Sequence, residues 1–432
     1  MKCKIVKGNK ENLKELCAAL GARGKMDLGP IIDTVNGVIS DIRENGDAAV
    51  LKYTERFDKA VLTADTMKVT KEEIDEAIKA VDPELLEILK KAASNIRLFH
   101  EKQKEEGFMM TTGKDATIGV KVRPIGVAGV YVPGGTAPLP STVLMDVIPA
   151  SVAGVPRIVF CTPPRADGTV APVILAAATI AGATEIYKVG GAQAIAAMAY
   201  GTETIPRADK ICGPGNIYVN TAKRLVFGQV DIDMFAGPSE ILILADGTSD
   251  PEFAAADMLA QAEHDRIASA ILLTTSEEYA EQVLQAVDRR SEEASRRDIL
   301  ASSLTDYCSI IVCDDMDTAI DFSEEIAPEH LELLLKDPEA VLGKINNAGA
   351  VFMGDWSPEP LGDYFAGPNH TLPTSGTARF FSPLNTGDFY KKMSVINYNR
   401  ESLKDVYKDV AAFADSEGLT CHAASVRVRF DK

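Results

Sequence analysis

Several features that would classify a chain at once are missing here. No run of roughly 18 apolar residues occurs. The opening MKCKIVKGNKENLKELC also lacks the apolar centre of a signal peptide, so a cytoplasmic location is the expectation. Positive charge is short as well. Against 63 Asp and Glu there are 45 Lys and Arg, a net charge of −18. Nucleic acid and anionic membranes would be repelled at long range, and neither is expected as a partner. The seven cysteines, at 3, 17, 161, 212, 308, 313 and 421, contain no CxxC pair. That spacing argues against structural zinc-thiolate sites and suits a reducing compartment. A GxGxxG fingerprint is absent too. GVAGVYVPGGTAPLP holds Gly126, Gly129, Gly134 and Gly135 at other spacings, with no acid at the distance that would support one. Turn formation accounts for these glycines as well as phosphate binding does.

What is present reads as a soluble α/β chain. At 432 residues, 46% hydrophobic and 25% charged, it has the composition of an ordinary globular protein and the length of two to three domains. Residues 11–107 carry apolar residues every three or four positions, and Thr70 with Glu73 forms a capping box. From residue 116 strands alternate with helices: ATIGVKVRPIGVAGVYVPGG, RIVFCTPP, TEIYKVGG and KICGPGN are separated by helical stretches. A second such series starts at EILILAD. The fold class expected is two incomplete Rossmann-like parallel-sheet domains with a helical N-terminal segment and a small C-terminal helical and extended domain. The boundaries expected are 1–24 for the N-terminal segment, 25–127 with 239–385 for the first α/β domain, 128–238 for the second, and 386–432 for the C-terminal domain, ending in a strand-like tail. Residues 354–388 are rich in glycine and proline without periodicity, which predicts a long structured loop.

Histidine is scarce, with five residues. In LAQAEHDR, Gln261 and His264 stand three apart, so on a helix they leave one face about a turn apart. That spacing suits metal ligation but occurs on many solvated helix faces by chance; Glu263 and Asp265 fall on other faces. Glu329 and His330, in IAPEHLELL, read as the first turn of a helix. His370 follows Asp363 by seven residues within the irregular loop, His422 follows Glu417 by five, and His100 reads as a solvated helix residue. Gln261, His264, Asp363 and His422 offer the oxygen and nitrogen donors that zinc accepts. Only folding could bring them together.

The ordered motifs YVPGGTAPLPSTVLM, KVGGAQAIAAMAYGT, KICGPGNIYV, VDIDMFAGPSEILILAD, AAADMLAQAEHD, APEHLEL, LGDYFAGPNHTLPT and GLTCHAASVRVR resemble the histidinol dehydrogenase family from about residue 116 to the end. The resemblance implies an NAD-dependent homodimer with one zinc per subunit that oxidises L-histidinol to L-histidine through L-histidinal. It implies Gln261, His264, Asp363 and His422 as zinc ligands and Glu329 and His330 as the catalytic pair. In it His330, neutral near pH 7, takes protons and Glu329 activates water. Substrate contacts at Ser239, Gln261, His264, His330, Asp363, His370, Glu417 and His422 follow from the same resemblance, as do NAD contacts at Tyr131, Gln193 and Asn216. In this family Glu417 and His422 serve the partner's site. Three rivals remain: a thiol route through Cys212 or Cys421, a metal hydrolase without NAD, and a binding scaffold without turnover.

Overall fold

The computed structural model describes residues 3–20, 28–134, 138–235 and 237–431; Gly135 and residues 21–24 lie outside them. The chain forms two compact units, one of residues 1–103 and 126–389, the other of 104–125 and 390–432. No helix among the described residues is long and apolar enough to cross a membrane.

Strand β1 (Lys4–Gly8) edges one sheet of the first unit, and β2 (Phe108–Thr112) and β3 (Ala116–Pro124) form a hairpin of the second unit. A five-stranded sheet follows from β4 (Val127–Tyr131), β5 (Arg157–Thr162), β6 (Glu185–Lys188), β7 (Lys210–Cys212) and β8 (Asp231–Ile232), in the order β6-β5-β4-β7-β8. The chain then returns to the first sheet with β9 (Glu240–Ala245), β10 (Ser269–Thr274), β11 (Ser309–Cys313), β12 (His330–Leu334) and β13 (Ala350–Met353), giving the order β1-β11-β10-β9-β12-β13. Both sheets are parallel throughout. β14 (Tyr390–Asn397) pairs antiparallel with β3 over eight residues, from Tyr390 opposite Pro124 to Asn397 opposite Thr117.

Parallel strands covered on both faces read as continuous apolar runs, and β9 is one. Its Ile241 and Ile243 face the helices Pro251–Ala262 and Glu277–Ser291, while Leu242 and Leu244 face the helix Met316–Ile326. Alternation across the pleat places those residues on opposite sides. The two-sheet α/β class is as expected, and so is the capping box: the Thr70 hydroxyl accepts from the Glu73 N–H, and the Glu73 carboxylate accepts from the Thr70 N–H.

The organisation differs from expectation in four places. Residues 4–8 are a strand, because KIVKG supplies an edge partner for β11. The helices between 29 and 101 pack chiefly on the helices of the five-stranded sheet, and within 239–385 the helix Pro83–Glu101 meets the turn Gly362–Ala366 and the His370 loop. The Val35, Val38, Ile39 and Ile42 stripe meets Ala194, Ala196 and Ala197 of the helix Gly191–Tyr200, whose small side chains permit close approach. Residues 104–125 join the C-terminal unit, because β3 is zipped to β14. The strand-like tail is helical over Thr420–Arg427, packed on the helix Arg400–Ser416.

Candidate active site

In each sheet of the first unit the strand order reverses once, between β4 and β7 and between β9 and β12. Such reversals open a crevice at the strand ends, ordinarily the carboxyl ends. The β4/β7 crevice follows that rule, with the Gly134 turn after β4 and the Gly213 turn after β7 at the carboxyl ends, whereas Gly126 precedes β4 and Gly129 lies within it. Tyr131 ends β4, and its buried hydroxyl accepts the Gly191 N–H at 3.1 Å, holding the turn before the helix Gly191–Tyr200. Gln193 in that helix is 1% exposed, and neither amide atom has a hydrogen-bond partner. A buried amide without partners costs on the order of 1–3 kcal/mol, so the position suits a ligand. After β7, Asn216 caps the helix Ile217–Val226, its side chain accepting the N–H groups of Tyr218 and Val219 at 3.0 and 3.1 Å.

The β9/β12 crevice carries its polar groups at the amino ends instead. His330 opens β12, with Glu329 immediately before it, rather than a helix, because HLELL is buried on both faces and bonded to β9 and β13. The Glu240 N–H donates to Glu329 Oε2 at 2.9 Å, and His330 Nδ1 donates to the Glu240 carbonyl at 3.0 Å. A carbonyl can only accept, so Nδ1 carries the proton and Nε2 is the nitrogen left for chemistry. Nε2 lies 3.7 Å from Glu359 Oε1 and 3.8 Å from Asp363 Oδ1. Asp363 sits in a π-helical turn, Gly362–Ala366, and its carbonyl accepts His370 Nδ1–H at 3.1 Å. His330, Asp363 and His370 line one cavity of about 630 Å³ with Phe352, Leu361 and Asn369.

Burial alone would depress the His330 pKa, but the carboxylates of Glu329, Asp363 and Glu359 outweigh it and push the imidazole up to about 9. The expectation of a neutral His330 near pH 7 therefore fails for the chain without a bound cation. Burial would also raise Asp363, yet the histidines around it hold its carboxyl well below the usual range. Glu359 goes the other way, raised by burial and by the Asp363 charge. His330, Glu359 and Asp363 present ligand atoms within 4.8 Å of one another, a group able to hold a metal ion.

Gln261 is 1% exposed near the end of the helix Pro251–Ala262, with both amide atoms unpartnered. His264 lies beyond that helix, exposed, in a turn where its N–H meets the Gln261 carbonyl at 3.2 Å. Their proximity is thus held by a helix stop, not by one continuous helix face. Ser239 immediately precedes β9, and its carbonyl accepts the Ser269 N–H at 3.1 Å. Glu417 and His422 belong to the second unit, where both are exposed and line an open cleft with Val410, Phe413 and Cys421.

Three acids escaped the sequence reading. Glu359 stands four residues before Asp363, and Glu332 is an acid inside the otherwise apolar run of β12, two residues from His330 and on the same face. Glu332 accepts the Glu359 N–H at 2.7 Å and lies against Asp257. An acid in an apolar strand was the available signal. His100 was also misread. It is fully buried, its Nδ1 2.6 Å from Gln103 Oε1, because its helix face is covered by the loop that carries His370. Cys212 is buried with its Sγ toward the Gly129 carbonyl, and burial pushes its thiol pKa far up, which leaves no nucleophilic thiolate there.

Two doubly wound sheets, one with glycine turns at its switch point and the other with a histidine among carboxylates, define an α/β enzyme scaffold with acid–base and metal-binding capacity. A sequence model described as histidinol dehydrogenase matches residues 22–430. The chain is 55% identical to the histidinol dehydrogenase of Geobacillus kaustophilus over 91% of its own length and 93% of that protein, and 52% identical to the Bacillus subtilis enzyme over 92% of each. The crystal structure of histidinol dehydrogenase from Elizabethkingia anophelis superposes with a TM-score of 0.93 at 41% identity, over 99% of this chain and 98% of that one. The chain belongs to the histidinol dehydrogenase family.

Proposed function

We propose that the protein oxidises L-histidinol to L-histidinal and then to L-histidine, with two NAD in succession, the last two steps of histidine biosynthesis in the cytoplasm. The observation that carries the reading is His330: Nδ1 is locked on the Glu240 carbonyl, and Nε2 is presented to the cavity beside Asp363 and Glu359.

Residues 128–238 are the NAD-binding part, with Tyr131, Gln193 and Asn216 as its contacts; the unpartnered buried amide of Gln193 fits that role. NAD bound by them would supply the hydride acceptor for both oxidations. Gln261, His264 and Asp363 form three of four zinc ligands, and the fourth is His422 from a second copy of the chain. The unpartnered amide of Gln261, the His264 imidazole and the Asp363 carboxylate fit the donors zinc accepts. A cation held by them would supply positive charge that attracts nitrogen donors of the substrate and offsets the Asp363 carboxylate beside His330.

Through Nε2, His330 takes the alcohol proton in the first oxidation. Glu329, fixed by the Glu240 N–H, draws a proton from water as it adds to the aldehyde, and His330 accepts the next proton. Ser239, His370 and, from the second copy, Glu417 complete the substrate contacts. The shared site makes the homodimer the active form. Phe108, Met109, Met110, Ile396 and Phe413 of the C-terminal unit are exposed apolar side chains of the kind a partner covers.

Incubation with L-histidinol, NAD and zinc, followed by NADH absorbance and metal analysis, tests the reading. Two NADH per histidinol and one zinc per subunit are expected. Absence of NADH would leave the hydrolase and scaffold alternatives standing.

A further inference from the structure

His370 reaches the cavity from a long loop, yet the residues on either side of it are tied by hydrogen bonds to a helix of the five-stranded sheet. Asn369 is 4% exposed, and its Nδ2 donates to the Met145 carbonyl at 2.6 Å and lies 3.4 Å from His100 Nε2. Its Oδ1 accepts the Thr371 N–H at 2.8 Å, bending the chain so that the intervening His370 points at Asp363. The Thr371 hydroxyl donates to Asp146 Oδ1 at 2.6 Å, and the Thr371 carbonyl accepts the Leu384 N–H at 2.9 Å. Met145 and Asp146 are consecutive in the helix Pro140–Ala153, the first helix after β4. One helix of the five-stranded sheet thus grips the loop on both sides of His370.

The other oxygen of Asp146 faces the glycine turn that follows β7. A Cβ placed on Gly213 would lie 3.2 Å from Asp146 Oδ2 and 1.9 Å from the Tyr131 carbonyl, so only glycine fits there. Both polar groups of Gly213 are tied to a buried ion pair: its N–H donates to Asp233 Oδ2 at 2.8 Å, and its carbonyl accepts from Lys223 Nζ at 2.9 Å, while Lys223 and Asp233 bond to each other. Asp146, 0% exposed, therefore stands between the Gly213 turn after β7 and the segment that carries His370.

We propose that Asp146 and Thr371 are positioning residues for the reaction. Their hydrogen bond, with His100 and Asn369 closing the opposite side, registers His370 against Asp363 and ties the substrate side of the cavity to the Gly213 turn. Neither residue touches the reacting atoms; they act through His370. The inference rests on the reading of His370 as a substrate contact.

Thr371→Val removes the hydroxyl at nearly constant shape, and Thr371→Ser restores it. Two measurements separate the possibilities: amide hydrogen exchange over residues 369–371, and steady-state kinetics with L-histidinol and NAD. Thr371→Val is expected to exchange faster over that segment and to raise KM for histidinol about tenfold with zinc content unchanged, while Thr371→Ser recovers both. Asp146→Asn is expected to fall between them. Unchanged exchange in Thr371→Val overturns the clamp, and faster exchange with wild-type kinetics, or a Ser variant as impaired as the Val variant, overturns the positioning role. If the wild-type protein makes no NADH, the functional reading has failed, and the exchange result still decides the clamp.

Discussion

His330 and Glu240 are joined by a 3.0 Å hydrogen bond from the imidazole Nδ1 to the main-chain carbonyl at the start of β9. Because neighbouring strands hold both residues, the ring cannot present Nδ1 to the cavity, and Nε2 is committed to the chemistry. This sets the division of labour between His330 and the proposed metal ligands.

Replacing His330 by Asn should therefore cut turnover by about 10²–10⁴-fold, the usual contribution of a positioned acid or base, with zinc retained. His264→Asn and Asp363→Asn should lose zinc and activity together, and chelation of the wild-type protein should do the same until zinc is restored. Metal analysis beside the NADH assay checks this. Equal metal loss in the His330 and His264 variants would refute the division.

Glu329 accepts the Glu240 N–H, which orients its carboxylate beside His330. Glu329→Gln keeps an acceptor for that N–H and removes the base. The first oxidation should be spared relative to the second, so that histidinal oxidation slows more than histidinol oxidation in single-turnover measurements. Rapid oxidation of supplied histidinal by this variant would count against it.

If His422 works in the neighbouring subunit's site, mixing two dead variants should regenerate activity. Co-expressed His330→Asn and His422→Asn chains would form mixed dimers with one intact site each. Random pairing then gives about one quarter of the wild-type rate. No recovery, with mixed dimers shown to form, places His422 in its own chain's site.

Asp146 offers a pH test of the fold. Burial pushes its carboxyl from the ordinary 3.8 up to about 8. Between those values the unfolded chain has released its proton and the folded chain retains it. Stability tied to this group is therefore complete at low pH and declines as pH rises toward 8, by at most about 1.4 kcal/mol per pH unit. Asp146→Asn does not titrate, so its melting temperature should fall less than the wild type's between pH 5 and 8. Parallel curves would show that Asp146 is ionised in the folded state.

Much of the scaffold was legible because parallel strands and amphipathic helices write themselves in local periodicity. EILILA, SAILLT and SIIVC are buried runs flanked by turns, and each became a strand. HLELL was harder. Its histidine and the preceding Glu329 suggested a helix start, whereas pairing with β9 and β13 made it a central strand. His100 was lost for a similar reason: its helix reads as exposed on that side until a loop almost 270 residues later covers it.

The sequence by itself determined the class of fold and the residue types available for chemistry: the histidines, the amide of Gln261, the acids near them and the glycine turns. Only the tertiary structure decided which nitrogen of His330 is free, that Glu359 and Glu332 stand behind it, and that Asp146 and His100 hold the loop of His370. Those facts depend on burial and on hydrogen bonds between segments distant in the chain. Local spacing carries no record of either.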